Sequence, residues 1–158
     1  MLVVADTGPI ISLLEIHHLD ILEKMYPDYV IPGAVYKELL NYRSASLFTE
    51  ELEKIKLHIS NPKSVPEDWK KEFGIGESES IALVRELNAD YFLVDDNDAR
   101  KFAESMSILC FGTISLLSRA KSQGLIPELK NLFEILSNKR RFFSKEIIAK
   151  VLRDAGEI

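Results

Sequence analysis

Two short apolar runs end in carboxylates, and the residues with chemical potential gather there. Leu2 to Ala5 runs into Asp6, and Tyr91 to Val94 runs into Asp95 and Asp96, with Asp98 close behind. Gly76-Glu77-Ser78-Glu79 sets two more acids at the head of an apolar-periodic segment, and Glu38 sits among Val35, Leu39 and Leu40. Crowding four or more carboxylates together is costly without a counter-charge, because they repel and their pKa values rise. Mg²⁺ or Mn²⁺ supplies that counter-charge through oxygen ligands. Such a centre suits phosphodiester hydrolysis, where the metal acidifies water and neutralises charge developing on phosphorus.

Each acid also has a plainer use. An Asp after a strand commonly caps the next helix. Glu77 and Glu79 favour the positive end of a helix dipole, by about 0.3–1 kcal/mol each. Glu38 reads alone as a solvated helix face. Glu77 and Glu79 stand about 200° apart on an ideal helix, so the sequence does not decide which of them faces the other acids.

Strands are expected at Leu2 to Ala5, Tyr29 to Ile31, Asp90 to Val94 and Ser107 to Phe111, all short and apolar enough to be buried on both faces. Helices are expected near Pro9 to Leu14, Leu19 to Met25, Pro32 to Leu40, Ser46 to Lys54, Glu77 to Leu87, Ala99 to Ser105, Thr113 to Lys121, Pro127 to Leu136 and Ser144 to Leu152. Residues 57–72, with Pro62 and Pro66, read as a strand fragment and a loop. Alternating strands and helices predict a three-layer α-β-α sandwich with a central parallel sheet and a helical C-terminal tail. Residues 1–136 form the expected domain, with 137–158 as a tail packed on it. In open parallel sheets ligands bind beyond the carboxyl ends of the strands, which is where Asp6, Asp95 and Asp96 fall.

Composition narrows the alternatives. The chain has 158 residues, 46% hydrophobic and 28% charged, enough for one domain with a real core. A net charge of −5 argues against binding nucleic acid with the whole surface, though a local basic patch can still hold phosphates. The single cysteine, Cys110, excludes zinc-ribbon and CxxC chemistry and fits a reducing cytoplasm. The start lacks the basic region of a signal peptide, and no run reaches the roughly 18 apolar residues a membrane span needs. His17, His18 and His58 lack a partner at metal-ligand spacing, and no serine has His-Asp support. Gly74-x-Gly76 lacks the Lys-Ser/Thr of a phosphate loop.

In combination the motifs resemble the PIN-domain family, in its VapC-like toxin ribonuclease branch. Asp6-Thr7-Gly8-Pro9 is similar to the start of that branch. Gly76-Glu77-Ser78-Glu79-Ser80-Ile81-Ala82 is similar to its Gly-Glu-x-Glu-Ala-Ile pattern, and Val94-Asp95-Asp96-Asn97-Asp98-Ala99-Arg100 to its Thr-Asp-Asp-x-x-Ala-Arg. Phe111-Gly112-Thr113 resembles its Gly-Thr before a helix, and the resemblance covers nearly the whole chain. It implies an endoribonuclease using Mg²⁺ or Mn²⁺, with Asp6, Glu38, Glu77 or Glu79, and Asp96 as the catalytic acids. It implies metal ligation by Asp6, Glu79 and Asp96, with Asp95 and Asp98 as near neighbours. Thr7, Arg100, Lys101 and Thr113 are then expected to touch nucleic acid. An RNA substrate, an antitoxin partner, a homodimer and a cytoplasmic location follow from the same resemblance.

Two departures stand out: the third acid is Glu where many toxins have Asp, and Val94 replaces the usual Thr. They keep open a second reading, a PIN-like nucleic-acid or protein-binding module with little or no turnover. A receiver-domain reading fails because Ser107 to Gly112 supplies no Lys. Lys139-Arg140-Arg141-Phe142-Phe143 is the one dense basic and aromatic run, suited to RNA, to a protein partner or to a charged turn.

Overall fold

A computed structural model describes residues 1–158. Its centre is a parallel sheet of β1 (Val3–Ala5), β2 (Tyr91–Leu93) and β3 (Cys110–Phe111) in that order. Val4 pairs with Phe92, and Phe92 with Cys110. Single parallel bridges from Val4 to Val30 and from Ile31 to Ile59 carry the pairing past β1. Tyr29 to Ile31 is therefore strand-like, as expected, but contributes only bridges.

The helices are α1 (Thr7–Glu15), α2 (Leu19–Met25), α3 (Gly33–Leu40), α4 (Thr49–Lys56), α5 (Glu67–Glu72), α6 (Ile75–Leu87), α7 (Asn97–Ser105), α8 (Thr113–Ser122), α9 (Lys130–Asn138) and α10 (Lys145–Asp154). A 3-10 turn, Ala45–Phe48, leads into α4. The loop expected within 57–72 is partly wrong: α5 occupies its end. None of its residues is buried, so it shows no apolar period. Its ends are marked instead by Glu67 and Asp68 in the first turn and Lys70 and Lys71 in the last, charges that suit the helix dipole.

Strand side chains alternate between two cores, which makes the three layers. Val3, Ala5, Leu93 and Phe111 join residues of α1, α8 and α9 in the larger core. Val4, Phe92 and Val94 join Ile81, Leu83 and Val84 of α6 and Ala99 and Ala103 of α7 in the smaller one. The tail adds Leu152 of α10 to the larger core, with Phe143 and Val151 packed against it. No helix is long and apolar enough to cross a membrane.

The sheet also sets the site. The Asp6 amide donates to the Leu93 carbonyl at 2.9 Å, and the Val94 amide to the Phe111 carbonyl at 2.9 Å. The three strand ends are thereby held side by side. α3 packs on α6, bringing Glu38 and Glu77 toward the same end.

Candidate active site

Asp6 is the floor of the cluster. It stands at the N-terminal boundary of α1, yet its side chain makes no capping hydrogen bond. Its residue is 7% exposed, and Oδ1 is buried with no hydrogen-bond partner. Burial pushes its pKa up to about 7; the neighbouring Thr7 amide pulls the other way without forming a well-aligned bond, and Glu77, Glu38 and Asp96 push it further up. An unpaired, buried carboxyl facing three like charges lacks a counter-charge.

Glu38 is exposed and fixed from two sides. Thr7 donates its hydroxyl to Glu38 Oε2. On the other side, a Cβ at Gly76 would stand 2.6 Å from Glu38 Oε1, closer than any real contact allows. Gly76 is the residue that lets the α6 backbone pass this carboxylate.

The structure separates the two glutamates of α6. Glu77 is raised by burial and then by Asp96, Glu38 and Asp98, so it faces the cluster. Glu79 turns toward the start of α3, where its Oε2 accepts from the Ala34 amide at 3.3 Å. It is not among the charges acting on Asp6 or Glu77.

The two aspartates after β2 divide in the same way. Asp96 Oδ2 caps α7 by accepting from the Ala99 amide at 2.8 Å, and the Asp96 charge acts on both Asp6 and Glu77. Asp95 gives both oxygens to Thr113: Oδ1 accepts from the amide at 2.8 Å and Oδ2 from the hydroxyl at 2.6 Å. Thr113 was expected to touch nucleic acid, but it is wholly buried and spends both donors on Asp95. Thr7 likewise acts on Glu38. Arg100, also expected to touch nucleic acid, donates from Nη2 to the Val94 carbonyl at 2.8 Å and braces the segment after β2. Lys101 and Asp98 are exposed on α7.

One participant carries no local sequence signal for this position. Arg141, from the turn after α9, donates from Nη2 to the Gly8 carbonyl at 3.0 Å and from Nε to Ser12 Oγ at 3.2 Å. The C-terminal turn is thus tied to the segment just after Asp6. The basic run around Arg141 was the only hint.

The charges of Glu38 and Asp96 act on both Asp6 and Glu77, and all four are hard oxygen donors of the kind Mg²⁺ and Mn²⁺ select. As they stand, no three such side chains close tightly around one point. Mg²⁺ keeps several waters and uses only one or two carboxylates directly, so an open cluster around an unpartnered Asp6 Oδ1 fits such an ion.

A search among curated proteins returns no match. The model of a family described as a PIN domain (DUF3368) matches residues 2–157, almost the entire chain. The parallel sheet, the acids beyond its carboxyl ends and this match agree: the chain belongs to the PIN-domain family, a nuclease-type fold.

Proposed function

We propose that the protein is a metal-dependent endoribonuclease of the VapC-like toxin kind, hydrolysing phosphodiester bonds of RNA. The observation that carries this reading is Asp6, buried with an unpartnered oxygen and surrounded by Glu38, Glu77 and Asp96. In the proposal these four surround Mg²⁺ or Mn²⁺, one or two of them directly and the others through its waters, with Asp98 at the rim. When bound, the ion supplies the positive charge that draws electrons from phosphorus and makes water a stronger acid. Asp6 anchors the site from below, where its backbone is hydrogen-bonded to β2. Glu38 and Asp96 lie toward solvent, where a phosphodiester approaches; Thr7 and the Ala99 amide keep them from turning away. Lys101 flanks the cluster as a free cation for the RNA backbone.

In this reading Glu79 and Asp95 position rather than ligate, because Glu79 Oε2 accepts from the Ala34 amide and both Asp95 oxygens accept from Thr113. The toxin reading carries with it an antitoxin partner, a homodimer and a cytoplasmic location. The test is cleavage of a short single-stranded RNA with Mg²⁺ or Mn²⁺. Cleavage is expected to stop with EDTA and with Asp6→Asn. RNA binding without cleavage by the wild-type protein would favour the binding-module reading instead.

A further inference from the structure

Asp95 borders two hollows that share Phe142 and Phe143. One, of about 290 Å³, runs along Asn97, Arg100, Gly112 and Ser115 to Ile147. The other, of about 300 Å³, is walled by Arg140 and Arg141. Together they make a groove leading from the second aspartate-bearing strand end to the C-terminal turn. Phe142 stands in the middle with 73% of its surface exposed.

The turn that presents Phe142 is braced. α9 ends with the Arg141 amide donating to the Leu136 carbonyl and the Arg140 amide to Ser137, and Arg140 takes the left-handed conformation at φ 60°. That position is the usual place for glycine. Here it holds an arginine, which spends conformational energy to put a cation at the groove. Arg141 is hydrogen-bonded to the Gly8 carbonyl and Ser12, and Arg43 donates to the Lys139 carbonyl at 2.8 Å. Lys139 lies 3.7 Å from the buried Glu15 carboxylate. Residues 139–141 are therefore tied to α1 and to Arg43, beside the segment that follows Asp6.

None of Arg100, Arg140 and Arg141 is ion-paired. The one carboxylate among them, Asp95, is committed to Thr113. On a chain of net charge −5, this is a local reversal of sign built around an exposed aromatic ring. Guanidinium groups suit phosphate oxygens, and an exposed ring suits a base, whatever its identity. A protein partner would find the apolar surface attractive but would leave three cations to be matched.

We propose that this groove is the subsite for the nucleotide next to the cleaved phosphodiester, an inference that rests on the ribonuclease reading. A base of single-stranded RNA stacks on Phe142, and the adjoining phosphate lies against Arg140 and Arg100.

The test is binding of a fluorescein-labelled single-stranded RNA hexamer in EDTA, read by anisotropy so that cleavage plays no part. Phe142→Ala is expected to weaken binding roughly 5- to 100-fold. Phe142→Trp is expected to keep the affinity, with the added indole emission quenched by RNA. Unchanged affinity in Phe142→Ala overturns the subsite even if the wild-type protein cleaves RNA. Phe142-dependent binding by a protein that never cleaves supports the subsite while removing the nuclease reading. No binding by the wild-type protein overturns the subsite. So does a Phe142→Ala variant that binds RNA normally but sediments as a smaller species, which marks the face as a contact between copies.

Discussion

Asp95 accepts both the amide and the hydroxyl of Thr113, at 2.8 and 2.6 Å, so the first acid of the Asp95-Asp96 pair is a brace rather than a free charge. Arg100 and Asp95 crowd the point where a Gly112 Cβ would sit, each 2.7 Å away, so a larger residue there must displace one of these hydrogen-bonded side chains. Asp95→Ala leaves the buried Thr113 amide and hydroxyl without their acceptor and should cost about 1–3 kcal/mol of stability. Asp96→Asn keeps a good helix cap and should change stability by less than about 0.5 kcal/mol, while cutting metal-dependent cleavage at least tenfold. Thermal melts and cleavage rates of the two variants check the contrast.

Glu77 and Glu79 should separate just as cleanly. Glu77→Gln is expected to lower metal-dependent cleavage about 10- to 100-fold, because its charge faces Asp96 and Glu38. Glu79→Gln retains an acceptor for the Ala34 amide and should stay within about threefold of wild type, since losing one charge on a single neutral-capable bond costs well under 1.4 kcal/mol. Equal losses in both would return Glu79 to the metal.

Gly76→Ala offers a split between stability and activity. Alanine favours a helix over glycine by about 1 kcal/mol, and the atom it would strike is the mobile end of the Glu38 side chain. The fold should be unharmed or slightly steadier, while the displaced Glu38 loses its bond from Thr7 and cleavage falls about tenfold or more. Chemical denaturation alongside a rate measurement reads both.

The metal-free protein should become less stable as pH rises. Asp6 has an ordinary value of 3.8 and is raised to about 7 in the fold. Between those values the folded state keeps a proton that the unfolded chain has released, so stability is fullest below pH 4 on this account and is lost as pH passes through 7. At about 1.4 kcal/mol per unit, the loss amounts to a few kcal/mol. Glu77, also raised, adds to it in the same direction. Asp6→Asn should flatten the profile and raise the melting temperature at pH 8 in EDTA; a profile as steep as wild type would place the titration elsewhere.

The acids at strand ends were legible because a parallel sheet delivers its strand ends to one edge; Asp6 follows its apolar run directly and Asp96 comes one residue after Asp95. Glu38 was legible only as one of a set, because an exposed helical Glu has no distinguishing neighbours. Glu77 and Glu79 could not be separated, since their facing depends on where α6 begins and on α3 beside it. Thr113 was misread because its acceptor, Asp95, lies 18 residues away, so no local pattern shows its donors turned inward. Arg141 and Gly8 are 133 residues apart and joined by one hydrogen bond, a relationship that no local pattern encodes. α5 escaped because a helix with no buried residue has no apolar period to show.

Calorimetric titration of Mn²⁺ into the protein at pH 8 tests the central claim most directly. Wild type should bind the ion with an affinity that Asp6→Asn reduces at least tenfold, and binding should weaken below pH 7 as Asp6 takes up its proton. Binding of the same strength in wild type and Asp6→Asn, or no binding to wild type at all, would contradict the account.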